Sequence, residues 1–250
     1  MVIKSQKKLI FFPSASSVTR CAQKSMYLIF ALVCMILIQP IFAQVPADYS
    51  HYKEITINAG QVAGSTTLTD FPFLFSTTDA DLATTANGGY LESSNGYDIL
   101  FTNVDGTVKL EHELESYDAI SGNIVAWVKT DIDPNVNTVL RIYFGLSSVL
   151  SSTSSAGTWS SSYQGVWHLN DLSDASPTGA DVTNSGSANT SNAAIGNAQN
   201  IPDGAFLQTG VETNLNIDGN LTLESWVHLN DEFSDQYANT ILSGSGTDPD

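Results

Sequence analysis

Residues 110–117 read Leu110-Glu111-His112-Glu113-Leu114-Glu115-Ser116-Tyr117. Leu110, His112 and Leu114 alternate with three glutamates, the period-two signature of a strand with one buried and one polar face. The same pattern recurs on either side. Ile55 and Ile57 alternate with Glu54 and Thr56, and Leu140, Ile142 and Phe144 alternate with Arg141 and Tyr143. Leu221, Leu223, Val227 and Leu229 alternate with Thr222, Glu224, Trp226 and His228. Further strands are expected at Pro72–Ser76, Tyr97–Thr102, Ile124–Thr130 and Val166–Asn170. Turn chemistry separates them: Asn87-Gly88-Gly89, Asn95-Gly96, Asp105-Gly106 and Ser121-Gly122-Asn123. No amphipathic helical pattern follows residue 44, so the chain is expected to be all-β, an antiparallel β-sandwich.

The N-terminus has a different character. Residues 1–43 carry five basic and no acidic side chains, and Met26–Ile38 is an apolar run of 13 residues. That is short for a bilayer-spanning helix, which needs about 20 residues. A basic start, a short apolar core and a break at Gln39-Pro40 spell a secretory signal, with cleavage expected between Ala43 and Gln44. Cys34 lies within the apolar run behind Val33, not behind the small residue that a lipoprotein signal requires.

Removing the signal sharpens the composition. Nine basic residues face 26 acidic ones in the whole chain, and five of the nine lie in residues 1–43. The remainder keeps Lys53, Lys109, Lys129 and Arg141 against all 26 acids, a net charge of −22. Such a surface repels phosphate backbones and anionic membranes, and it suits divalent cations such as Ca²⁺. Cys21 and Cys34, the two cysteines, both fall in the signal. The exported part therefore has no disulfide framework, and its stability must come from an apolar core.

Two polar stretches organise the rest. Ser147–Ser162 contains nine serines and reads as a linker or a long surface loop. Ser173–Asn200 is rich in Ser, Asn, Ala, Thr and Gly. The expected division is 1–43 signal, 44–150 first domain, 151–164 linker and 165–250 second domain.

Several stretches in order resemble a family classed as a domain of unknown function, the one numbered two-three-four-one. They are His51–Ile57, Leu68–Leu74, Asp79–Leu82, Gly96–Thr102, Asp105-Gly106, Leu110–Tyr117, Val125–Lys129 and Ile142–Gly145. The resemblance covers roughly 49–150. It implies a jelly-roll-type sandwich that precedes a laminin-G-like, concanavalin-like jelly roll in large bacterial and archaeal surface proteins. Gly165–Leu169, Ile195–Ala198, Leu221–Val227 and Thr240–Ser243 resemble strands of that second module. By the same resemblance only about half of it is present before Asp250.

The candidate chemistry is sparse. Glu111, Glu113 and Glu115 on one strand face would stand about 7 Å apart. That lies within the range of about 5–9 Å for a glycosidase pair. Exposed alternating charge is ordinary, however, and the expectation is a solvated face beside Lys109. The four histidines, His51, His112, His168 and His228, show no zinc spacing; His168 and His228 are expected to be exposed on neighbouring strands. No nucleophile elbow, P-loop or dinucleotide fingerprint occurs. Trp127 and Trp167 are expected in a core. Trp226, on the polar side of its alternating run, is the candidate sugar-stacking residue. Asp171, Asp174 and Asp181, with Asn184, form an oxygen-rich loop that is the candidate Ca²⁺ site.

These features point to an exported, non-catalytic module that binds a surface polysaccharide. Two alternatives remain: a concanavalin-type glycoside hydrolase or lyase acting through Glu113 or Glu224, and a structural spacer of a large surface protein.

Overall fold

A computed structural model describes residues 48–190, 193–209, 215, 217 and 219–228. The expected signal with its Ala43–Gln44 junction lies outside the described residues, as does the strand expected at Thr240–Ser243.

Six strands between His51 and Phe144 build the sandwich. β1 (His51–Ile57), β6 (Thr138–Phe144) and β3 (Leu100–Asn103) form one antiparallel sheet in the order β1-β6-β3. β2 (Leu68–Thr78), β5 (Asn123–Ile132) and β4 (His112–Asp118) form the other, in the order β2-β5-β4. The two are the layers of an antiparallel sandwich. Their facing sides meet in one core of Leu82, Leu91, Ile99, Phe101, Ile124, Ala126, Val128, Leu140, Ile142 and Phe144. Ile55, Ile57, Phe73, Phe75, Leu110, Leu114 and Tyr117 pack around it. The alternation in β1, β4 and β6 thus becomes the inner face of each sheet, as period-two burial requires.

Two buried polar groups fasten this core. Asp98 is fully buried, and its carboxylate accepts the backbone N–H groups of Glu92, Ser93, Gly145 and Leu146 at 2.8–3.3 Å. It ties the loop before β3 to the end of β6. His112 is also buried; its ring contacts the Leu110 carbonyl and the Thr153 hydroxyl and lies edge-on to Phe101. Burial pushes its pKa down to about 4, so the ring is neutral at physiological pH.

The turn between β4 and β5 depends on a glycine. Gly122 has φ +67°, and a Cβ there would sit 2.0 Å from the Asp79 carbonyl oxygen. Only glycine fits both the conformation and the space.

The Ser-rich stretch is docked along β4. The Ser155 N–H donates to the His112 carbonyl, the Leu114 N–H donates to Ser154 Oγ, and the Thr153 hydroxyl donates to the Ile99 carbonyl. A short 3₁₀ turn at Ala156–Thr158 then buries Thr158 and Trp159.

Beyond it the described residues form two small antiparallel pairs. β7 (Val182–Ser185) pairs with β10 (Phe206–Thr209), and β8 (Ala188–Thr190) pairs with β9 (Ala198–Asn200). Two expected strands are corrected here. Val166–Asn170 is a loop: Leu169 sits at φ 62°, and the Val166 N–H is taken by the Asp174 carboxylate at 2.8 Å. Residues 221–228 carry no strand pairing, and Leu221, Leu223, Trp226 and Val227 are exposed. An alternating pattern becomes a strand only when a ladder partner accepts it.

Candidate functional site

The site forms on the outer face of the β2-β5-β4 sheet. Along β5 the core takes Ile124, Ala126 and Val128, which leaves Val125, Trp127 and Lys129 on the other side. Glu113 lies opposite Trp127 in the ladder, and Ser116 opposite Val125. The register shifts between Leu114 and Ser116, so Glu115 is the extra residue of a β-bulge. A bulge adds one residue to one strand and re-aims a side chain. Here it brings Glu115 to the same imidazole as Glu113.

That imidazole is His168, reached from the loop after the Ser-rich stretch. Its Nδ1 lies 2.5 Å from Glu115 Oε2, and its Nε2 lies 3.2 Å from Glu113 Oε2. Indole donors complete the arrangement. Trp159 Nε1 donates to Glu113 Oε2 at 2.6 Å, and Trp127 Nε1 donates to Glu115 Oε2 at 3.2 Å. Trp127 and Trp159 meet with ring centroids 5.3 Å apart, and Tyr163 stands edge-on to Trp159. Glu115 is 1% exposed, and among the described residues its Oε1 has no hydrogen-bond partner. Gly196, at φ +54°, lies over that oxygen; a Cβ there would come within 2.6 Å of it.

The electrostatics follow from this geometry. Burial opposes a charged His168, but hydrogen bonds and charge from Glu113 and Glu115 prevail and raise its pKa to about 9. Burial likewise opposes ionised Glu113, yet the His168 and Trp159 hydrogen bonds hold its pKa below the usual carboxylate value. With both ring nitrogens facing carboxylates, His168 is an imidazolium donating two charge-assisted hydrogen bonds.

Several sequence expectations change. Glu113 and Glu115 share a face, but it is covered rather than solvated. Glu111 precedes β4, and its side chain lies against Gly157. Trp127 packs in a second layer outside the sandwich core. His168 is not an exposed histidine but the centre of the cluster, 12% exposed at its side chain. Trp167 is half-buried, its Nε1 donating to the Ala180 carbonyl at 2.9 Å. Trp226 stands apart, 81% exposed.

The acidic loop is internally satisfied. Asp174 accepts from the N–H groups of Val166, Ser176 and Ala180 and from the hydroxyls of Ser176 and Thr178. Burial works against its charged form; these donors outweigh it and lower the pKa. Asp181 Oδ1 accepts the Asp174 N–H at 2.9 Å. Asp171 caps its own turn through the Ser173 N–H and hydroxyl, which lower its pKa. Asp174 and Asp181 are thus brought together and Asp171 is not. Among the described residues no group of three His, Cys, Asp or Glu side chains is arranged to hold a metal ion. Asn184 Oδ1 accepts the Ser187 N–H within the β7–β8 turn.

Trp159 and His168 complete the site; the sequence reading took His168 for an exposed histidine and placed neither residue with the glutamates. The signal for them lay in β5. Val125 and Trp127 make its second face apolar as well, and a strand apolar on both faces needs a cover on each.

Fold and site together define an all-β sandwich whose paired carboxylates are closed over a histidine from the following segment. Comparison with protein-family models, curated proteins and solved structures gives no match.

Proposed function

We propose that this chain is an exported, non-catalytic module that binds polysaccharide at the cell surface or in the medium. One observation carries the non-catalytic half: Glu113 and Glu115, the pair expected to suit a glycosidase, are both engaged by His168 and by indole N–H groups. A general acid and base must face a substrate, and these face the protein's own imidazolium. The glycan half is supported by Trp226, which is exposed together with Leu221, Leu223 and Val227. Aromatic faces of this kind stack on sugar rings. The resemblance of residues 49–150 and 165–250 to lectin-like surface domains supports it by fold analogy alone. Export rests on the signal-like residues 1–43. Ca²⁺ belongs to the same reading as an accessory ion near Asp171, Asp174 and Asp181.

A structural spacer is the second reading, favoured by the clamp that joins the sandwich to the following segment. Affinity electrophoresis of the secreted chain in gels containing neutral and acidic polysaccharides, with Ca²⁺ or a chelator, separates the two. Retardation in at least one gel, weakened about tenfold or more by Trp226→Ala, is expected, because a central aromatic anchor dominates a small site. Absence of retardation in every gel would favour the spacer. Cleavage of a β-glucan that Glu113→Gln abolishes would overturn the non-catalytic reading.

A further inference from the structure

We propose that Glu113, His168 and Glu115 form a pH-operated latch: charged His168 holds the segment from Tyr163 onward against the β2-β5-β4 sheet, and loss of that charge releases it while the sandwich stays folded.

The connectivity supports this. Among the described residues, the ion pairs that join this segment to the strands all run through His168. The segment's other hydrogen bonds are largely its own: Val166 to Asp174, Trp167 to Ala180, Gln199 to the Leu169 carbonyl. The sandwich has a separate core that does not include His168. The segment can therefore leave without dismantling either part.

The charge balance supplies the switch. Glu113 and Glu115 face the ring from β4; Asp171 is exposed on its own loop, and the His168 charge contributes least to lowering its pKa. The groups from β5 and the Ser-rich segment are neutral: the Trp127 and Trp159 indoles, with Tyr163 behind Trp159 and its phenol pKa raised by burial. Lys129 lies on the outer side of β5 but makes no ion pair among the described residues. Once His168 is neutral, Glu113 and Glu115 share a covered site without a cation, and among the described residues Glu115 Oε1 already lacks a partner. Buried charge without a counter-charge is strongly unfavourable, and opening the site to water relieves it.

The sign follows from the shift. The pKa of His168 is raised from 6.5 to about 9. Its contribution to docking is full below 6.5 and is lost as pH rises through about 9. On the acid side the pKa of Glu113 is lowered, so its contribution is present above 4.5 and lost as pH falls through the depressed value. The latch is closed in weakly acidic to neutral medium and opens in alkali.

The test is solvent exchange of the Trp127 and Trp159 indole N–H groups in the full chain, read by NMR and corrected for intrinsic rates. Between pH 6.5 and 9.5 their protection should fall on the order of a hundredfold, while the Ala126 and Val128 amides in β5 keep theirs. In His168→Gln, indole protection should be low at both pH values. Three results would overturn the proposal: indole protection that persists at pH 9.5, loss in step with the β5 amides, or an unchanged pH step in His168→Gln. The wild-type series decides alone if the variant does not fold.

Discussion

Replacing Asp98 with alanine is expected to destabilise the sandwich by about 4 kcal/mol or more, an effect large enough to leave much of the protein unfolded at 37 °C. The carboxylate is fully buried and accepts four backbone N–H groups, those of Glu92, Ser93, Gly145 and Leu146. Alanine removes every acceptor at once, and each buried donor left without a partner costs about 1–3 kcal/mol before any water enters. Asp98→Asn should cost less but remain clearly harmful. An amide offers one acceptor oxygen, and its NH₂ would face donors. Urea denaturation at pH 7 measures both, and a change within about 0.5 kcal/mol for alanine would refute the role. The Asp98 charge also contributes, after burial, to raising the Tyr49 and Tyr117 phenols to about 12. Both tyrosines should titrate lower in Asp98→Asn.

Phe101→Ala is expected to cost about 3–5 kcal/mol, the range for a phenylalanine removed from a packed core. Phe101 is 0% exposed. It meets Phe75 edge-on from the opposite sheet, with ring centroids 5.7 Å apart, and His112 at 5.1 Å. Truncation would open a cavity between the two layers and loosen the packing around His112. Conservative Phe101→Leu should lose less, and the difference between the two in urea reports the packing contribution. Equal stability of wild type and Phe101→Ala would mean that the two sheets do not share this core.

How legible the molecule was in its sequence differs along the chain. The sandwich was readable because most of its strands have one apolar side and all have a partner: Ile55, Leu114 and Ile142 face the core as their alternation implies. The second half was not. Val166–Asn170 has strand-like composition, but Asp174 captures its backbone and Leu169 turns left-handed. In residues 221–228 periodicity is present and a ladder is absent.

The site was half legible. The shared face of Glu113 and Glu115 followed from period two, though the bulge that presents Glu115 did not, since an extra residue leaves no mark on the pattern. Burial of the pair was missed because the cover comes from Trp159 and His168, at least 44 residues further along the chain. A serine-rich stretch looks like a tether until its hydrogen bonds to β4 are seen.

The central claim is that Glu113 and Glu115 hold an imidazolium from the same chain, where a glycosidase would hold a sugar. The most direct measurement is the NMR titration of the His168 ring in the wild-type protein. Both ring nitrogens are expected to be protonated at pH 7.5, with a midpoint near 9. A neutral ring at pH 7.5 with a midpoint at or below 6.5 would contradict it, leaving the two glutamates free for a substrate.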